Sequence, residues 1–423
     1  MLRYIVERIA DGEFLELELP ITVSGAGRKL NGAGSFSGAL EPDVGGLRYA
    51  DGTLLIDPYA TFIHEEADGE IRGTWLVTRS ELEGESWRVE GAGFSSYFSD
   101  RPYEGEYRGV RVDPVVVARH VVEHAQSFVN ADIGVTVRGS SSVRVGSDSE
   151  AKQATAQFAV NTTKAALEQA KKALADARTA AKANPTTANK NVVNTRKAQV
   201  DDLNATKKRQ DDELAAAKKA VQEDDGAWKL LWWDTPDCLD AMQDAIDAAG
   251  CEWVEWSGWN ADRTKILKEI RVLPRVGRDQ VGLAFVEGDN IIDKVVVEDD
   301  SAKYANKIVA IGAGEGRNSL RYTIPGKDSR RSKPVVIDAK HVTKQAVLER
   351  LAQAELKKRM QRFRIDGVRV IDHPNAQFGT FEVGDTILVD AEVGWIGRQR
   401  LSRRIEEIEW LGEDIAELWL GDA

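Results

Sequence analysis

From Ser149 to Asp225 the chain keeps a helical rhythm. In a first arm, Val160, Thr163, Leu167, Ala170, Leu174, Ala177 and Ala181 follow one another at steps of three and four. In a second arm, Val193, Val200, Leu203, Leu214, Ala217 and Val221 keep the same period, with Arg196, Lys207 and Gln210 falling on the seam. The arms part at Asn184-Pro185-Thr186-Thr187, and proline is tolerated at a helix edge but not inside one. The spacing predicts two helices folded back as an antiparallel coiled coil, its seam centred on Leu167, Leu174, Leu203 and Leu214. Each arm would reach about 50 Å at ~1.5 Å per residue.

Elsewhere the period changes to two. Glu13-Phe14-Leu15-Glu16-Leu17-Glu18-Leu19 alternates acidic and apolar residues, as a half-buried strand does. Thr53–Ile56, Thr61–Glu66, Arg72–Thr78 and Ser86–Glu90 are further strand candidates, with Asp51-Gly52 and Asp68-Gly69 as hairpin turns. Asp113-Pro114 opens a helix to about Phe128, and a strand follows at Ile133–Arg138. Beyond the helical arms, Thr235-Pro236-Asp237 caps a helix of roughly 236 to 249 closed by Gly250, before strands at Cys251–Trp256, Lys265–Arg271, Ile291–Val297 and Lys307–Ile311. A long amphipathic helix is expected from Lys344 to Phe363, then strands at Gly367–Ile371, Thr386–Val389, Arg400–Trp410 and Ile415–Leu420.

Composition sharpens the contrast. The 77 residues from Ser149 to Asp225 contain twenty alanines, one proline, one aromatic and no glycine, although the chain has 36 glycines. This is helix-forming composition, not that of a linker. The stretch carries 14 basic and 11 acidic residues, a net +3, which leaves −15 of the overall −12 on the rest of the chain. So acidic a surface does not hold nucleic acid through its phosphates, yet it suits a channel that DNA must pass without sticking. No stretch is long and apolar enough to span a bilayer, and the first residues do not open a signal peptide. Two cysteines, Cys238 and Cys251, are too few for a disulfide framework and read as buried thiols.

Three motifs could carry chemistry. His120-Val121-Val122-Glu123-His124 places two imidazoles four apart on a helix, the spacing of one zinc protease class with Glu123 as base. A distal third ligand would fall in the solvated helical arms, and two boundary histidines are the simpler reading. Gly312-Ala313-Gly314-Glu315-Gly316 follows a strand but lacks the Lys-Ser/Thr of a phosphate loop and the helix after it, so a strand-to-strand turn is expected. Six of eleven tryptophans lie between Trp228 and Trp259. Trp232, Trp233, Trp253, Trp256 and Trp259 could stack on sugars, but their strand and cap positions favour core and subunit interface.

A set of short motifs in a fixed order supplies a family resemblance. Leu30-Asn31-Gly32-Ala33-Gly34-Ser35-Phe36-Ser37-Gly38, Glu70-Ile71-Arg72-Gly73, Gly91-Ala92-Gly93-Phe94, Asp100-Arg101-Pro102-Tyr103 and Val112-Asp113-Pro114 come before the helical arms. Phe285-Val286-Glu287-Gly288-Asp289-Asn290, Gly312 to Gly316 and Phe381-Glu382-Val383-Gly384-Asp385 come after them. Together they resemble minor tail proteins of long-tailed phages of actinobacteria, which are similar to the baseplate-hub family. The resemblance covers the chain outside residues 149–225.

It implies a β-rich α+β fold: two tail-tube-like β-barrel domains, at residues 1–112 and 291–423, with an intervening α/β region at 113–148 and 226–290. The coiled-coil hairpin at 149–225 would be an insertion. It further implies a non-enzymatic homotrimeric ring at the virion tail tip, without cofactor or metal, made in the host cytoplasm. Its partners would be the distal tail protein, the tape measure protein and tail-tip fibre or spike proteins, with genome DNA passing through unbound. Some relatives carry a cell-wall hydrolase domain after the hub; this chain, reaching Ala423 just past the last hub strand, is expected to lack one. The rival readings are a carbohydrate-binding adhesin through the tryptophans and a zinc metalloprotease through His120, Glu123 and His124.

Overall fold

A computed structural model describes residues 2–422 except 50–51, 225, 294, 296, 299–303, 315, 328–329, 341, 343–344, 361–363 and 394–396. The first part of the chain is a twisted antiparallel sheet. Its strands are β1 (Leu2–Arg8), β2 (Phe14–Glu16), β3 (Thr22–Lys29), β4 (Ser35–Leu40), β5 (Thr61–Ala67), β6 (Glu70–Glu83) and β7 (Ser86–Gly93), with a single helical turn, α1 (Pro42–Gly45), after β4. Asp68 and Gly69 both adopt positive φ, 53° and 89°, and make the β5–β6 turn that the Asp-Gly pair predicts. The alternating segment from Glu13 to Leu19 is strand only at Phe14–Glu16, and Leu17 is 48 % exposed. Thr53–Ile56 is not a strand; Leu55 and Ile56 are buried in the core of this sheet with Phe36, Ile63 and Trp75. Asp51 of the second expected turn lies outside the described residues.

The middle of the chain supplies β8 (Glu106–Gly109), α2 (Pro114–Gln126), β9 (Val135–Arg138), the helical arms α3 (Ser149–Ala183) and α4 (Thr187–Asp224), β10 (Trp228–Leu231), α5 (Cys238–Ala249), β11 (Glu252–Trp259) and β12 (Ile266–Leu273). The two helix caps were readable in advance. Asp113 accepts the Val115 N–H, and Asp237 accepts those of Leu239 and Asp240. Helices α2 and α5 lie over β9, β12 and β11, and their core takes in Phe62, Leu76, Phe94 and Phe98 from the first sheet.

The hairpin leaves this region at one point. Ser149 Oγ donates to Asp224 Oδ1 at 2.7 Å, and the Ser147 N–H donates to the Gly226 carbonyl at 2.7 Å, so the arms start and finish side by side. Leu167 and Leu174 pack with Val200, and Ala170, Val193 and Leu203 flank them. Leu214 is buried nearer the base.

The last part holds β13 (Asp279–Val286), β14 (Val297–Glu298), β15 (Lys307–Ile311), β16 (Arg321–Pro325), β17 (Pro334–Asp338), α6 (Gln345–Arg359), β18 (Arg364–Ile365), β19 (Gly367–Ile371), β20 (Thr386–Val393), β21 (Gly397–Trp410) and β22 (Ile415–Asp422). The expected helix from Lys344 to Phe363 is shorter, and 344 and 361–363 lie outside the described residues. Of the expected strand Ile291–Val297, residues 294 and 296 lie outside them too, and Val297 pairs with Ile365. Strands β15–β17 and α6 make a separate small core around Ile308, Ala310, Leu348 and Ala352. β13 pairs in parallel with β20, and β20, β21, β22 and β19 follow in antiparallel order.

The two β regions are not separate barrels. β3 pairs with the second half of β21, from Lys29 opposite Glu407 to Ala26 opposite Trp410, on the edge whose first half β20 occupies. One twelve-stranded sheet therefore runs from β13 through β21 and β3 to β2. Among the described residues its pairing does not close into a ring; in the second half a single bridge, Ile291 to Val370, links the turn after β13 to β19. The chain is α+β and strand-rich, with open sheets where closed barrels were expected.

Candidate functional site

The chemistry-bearing residues of this chain meet at the joints between its parts. At the β3–β21 seam, Arg28 Nη1 lies 2.6 Å from Glu382 Oε2 and Lys29 Nζ 3.0 Å from Glu407 Oε2. Just beyond β3 the backbone turns back through Asn31, whose φ is 52°. Asn31 then exchanges two hydrogen bonds with the middle region. Its N–H donates to the Trp253 carbonyl at 3.0 Å, and its Oδ1 accepts the Trp253 N–H at 2.7 Å. Gly34 is needed because a Cβ there would lie 1.9 Å from the Gly27 carbonyl oxygen.

Two further clamps are ionic. Arg404 of β21 grips Glu252 of β11 through both terminal nitrogens at 2.6 Å and donates to the carbonyls of Gly384 and Val276. Burial pushes the Glu252 carboxyl up, but the guanidinium outweighs it and leaves the carboxyl below its usual range. On the opposite side, Glu7 of β1 sits between His64 of β5 and Lys268 of β12, 2.9 Å from each, and all three are buried. Burial alone would raise the Glu7 carboxyl; His64 and Lys268 together hold it down at about 2. His64, fully enclosed, is pushed down by burial, and its Nδ1 is 2.8 Å from Thr74 Oγ1.

Glu255 of β11 is the contrasting carboxyl. It is pushed up to about 7 by burial, and its strongest partner is the Ser95 N–H at 2.6 Å. It occupies the space over Gly93, where a Cβ would fall 2.0 Å from Glu255 Oε2. The Asn-Gly-Ala-Gly, Gly-Ala-Gly-Phe and Val-Gly-Asp motifs thus lie at contacts between parts of the fold, where backbone approaches backbone or carboxylate. The last includes Gly384, whose φ is 90°.

The predicted tryptophans do not form one face. Trp253 is buried, its Nε1 donating to Gln243 Oε1 at 2.6 Å. Trp256 lies under the Arg271 guanidinium at 3.5 Å, and Trp259 meets Phe14 edge-on at 5.6 Å. Only Trp232 and Trp233 stand open, 56 and 49 % exposed and edge-to-face at 5.6 Å. The seam residues Leu167, Leu174 and Leu214 are buried in the hairpin, and Leu203 is half-buried.

His120 and His124 share a helix face, but their ring nitrogens face protein groups. His120 Nε2 is 2.8 Å from the Tyr103 hydroxyl, and His124 Nε2 accepts the Glu104 N–H at 3.2 Å. Burial pushes both imidazoles down. Glu123 is exposed. No group of three or more His, Cys, Asp or Glu side chains is placed to hold a metal ion among the described residues. Gly312 and Ala313 donate their N–H groups to the Leu320 and Val342 carbonyls, in a loop joining the antiparallel neighbours β15 and β16; Glu315 lies outside the described residues. Cys238 and Cys251 are buried and unbridged, and burial pushes the Cys238 thiol up to about 11. No helix among the described residues is long and apolar enough to cross a membrane.

This architecture has solved counterparts. The chain is similar in fold to phage tail proteins. The 43 kDa tail protein of prophage MuSo2 from Shewanella oneidensis superposes with a TM-score of 0.53 at 10 % identity, over 99 % of this chain and 98 % of that one. The tail protein from Neisseria meningitidis MC58 superposes with a TM-score of 0.51 at 11 % identity, over 99 % and 96 %. No protein-family model and no curated protein matches the sequence. The likeness to these tail proteins is one of fold; the likeness to actinobacterial minor tail proteins rests on the motifs alone.

Proposed function

We propose that this chain is a structural, non-enzymatic hub at the tip of a phage tail, assembled as a ring of three copies. The observation that carries the reading is the shared sheet. Two β regions, each led by antiparallel strands, are fused side by side through β3 and β21, so three chains would present six sheet units around one axis. Closed cyclic symmetry is the common way to build such a ring. The ionic and hydrogen-bonded clamps at the joints suit a part that bears load rather than one that turns over a substrate.

The ring would join the distal tail protein and tape measure protein on one side and fibre or spike proteins on the other. The −15 carried outside the hairpin would line a conduit that repels DNA phosphates. A mass measurement in solution tests the stoichiometry: a trimer supports the hub, and a monomer at micromolar concentration sinks it. A map of the tail tip with a lumen lined mainly by Lys and Arg would refute the conduit. The adhesin reading narrows to Trp232 and Trp233, and a glycan array with Trp232→Ala as control tests it.

A further inference from the structure

The charges of the hairpin are sorted along its length. Between Lys171 and Lys197, the distal third on both arms, there are seven basic residues and one acidic residue, Asp176. From Ala198 to Asp225 there are five basic and eight acidic, and from Ser149 to Ala170 two of each. The pairing leans the same way: four of seven cations toward the base have a carboxylate, against one of seven toward the tip, and Lys164, Lys208 and Lys218 toward the base have none among the described residues. Near the base Lys152 meets Asp148 at 2.8 Å, Lys207 meets Asp211 at 2.5 Å, Arg209 meets Glu213 at 3.8 Å and Lys219 meets Glu223 at 3.6 Å. Distally only Lys171 has a carboxylate, Glu168 at 3.2 Å. Lys172, Arg178, Lys182, Lys190 and Lys197 are all exposed and have no ion-pair partner among the described residues. Arg178 and Lys182 even stand four apart on one helix, a spacing at which like charges cost stability.

A solvated helix face needs no such sorting, and toward the base most of the cations are paired. The composition around the cations narrows the partner. Between Asn184 and Thr195 lie four asparagines and three threonines, with no aromatic residue and no leucine. Protein interfaces centre on aromatic and apolar anchors and are poor in lysine, and membrane-seeking helices need an apolar face. Lysine and arginine among amide and hydroxyl groups fit a chain of phosphates. Position narrows it further. The tip is held about 50 Å from the base, several times the screening length of about 8 Å at physiological salt. The −15 body therefore does not repel a polyanion that the tip engages.

We infer that the hairpin tip is a docking site for a phosphodiester polymer of a host-cell envelope, outside the particle. This rests on the tail-tip reading for the location of the polymer. Genomic DNA would have to pass along the acidic body, whereas an external polymer meets only the tip.

The test uses the full chain and immobilised poly(glycerol phosphate), with dextran, duplex DNA and phosphatidylglycerol vesicles as comparisons. Binding is expected to poly(glycerol phosphate) and not dextran, and to weaken by about tenfold or more between about 50 and 200 mM salt. Replacing Lys172, Arg178, Lys182, Lys190 and Lys197 by Gln should abolish it while helicity and mass in solution stay unchanged. A control with Lys152→Gln, Lys207→Gln and Lys219→Gln removes paired cations near the base and should keep binding. Absence of binding at low salt, equal binding by the tip variant, loss in the base control, or tighter binding to DNA or vesicles would each overturn the inference. Mass in solution reads the hub separately, so a trimer that ignores the polymer rejects only the docking site.

Discussion

The body and the hairpin solve the same problem of holding two long elements together with opposite means. The body joins its sheets through residues hundreds of positions apart: Arg28 to Glu382, Arg404 to Glu252, Lys268 to Glu7, Asn31 to Trp253. The hairpin uses a thin seam of Leu167, Leu174, Val200 and their small neighbours; the ion pairs along its arms join residues three or four apart, and at its base Glu150 pairs with Lys229. The first arrangement fixes a geometry. The second makes a rod whose two ends meet at its base. Mutations should therefore separate the two.

The largest effect is expected at the joint. Trp253→Ala removes a fully enclosed indole and its bond to Gln243, which should cost about 3–5 kcal/mol and lower the thermal midpoint of the body in a calorimetric scan. Next is Glu255→Gln. Burial holds this carboxyl at about 7 in the folded protein, well above the ordinary carboxylate range. The cost of burying it is therefore absent near pH 4, grows from about pH 4.5 to about 7, and levels off above that. The amide should stabilise the body by roughly 3 kcal/mol at pH 8 and change little at pH 5, as read from denaturant midpoints at the two pH values. Glu7 has the opposite sign: held at about 2, its contribution is present at neutral pH and is lost as pH falls from about 4 toward 2.

The hairpin effects should be smaller and local. Leu167→Ala should cost about 2 kcal/mol, the low end for a buried leucine because its neighbours are small and can close in. The loss should appear in hydrogen exchange of α3 and α4 and not in the body's melting. Lys207→Ala removes one helical ion pair and should shift hairpin exchange by about 0.5 kcal/mol or less. Replacing Glu150–Asp224 by a short Gly-Ser linker should change the body's midpoint least of all and leave its mass per ring, less the deleted residues, intact. Unfolding on that deletion would erase the distinction.

The hairpin was legible because its evidence is local: an unbroken period, no glycine and a proline at the turn. The caps at Asp113 and Asp237 and the Asp68-Gly69 turn were legible for the same reason. The joint was not. β3 reads Thr22-Val-Ser-Gly-Ala-Gly-Arg-Lys, and its glycines argue against a strand until one sees that Gly27 accepts the Trp75 indole N–H at 3.0 Å. β13 escaped notice because its partner, β20, lies about a hundred positions away. The pairing of β3 with β21 has no local signature at all. The motifs around Asn31, Gly93 and Gly384 did mark these places, although nothing in their spacing said that they were contacts between regions rather than turns.

The long reach of that pairing bears on biosynthesis. Glu407 leaves the ribosome 378 residues after its partner Lys29. Until β21 arrives, β3 presents an unsatisfied row of amides and carbonyls, the kind of edge that recruits strands from other chains. Contacts this distant in sequence also form slowly. Chains cut before β21 should therefore accumulate as insoluble material while full-length chains do not, and expressing residues 1–390 beside the whole protein would show whether the last strands act as the stopper for the first sheet.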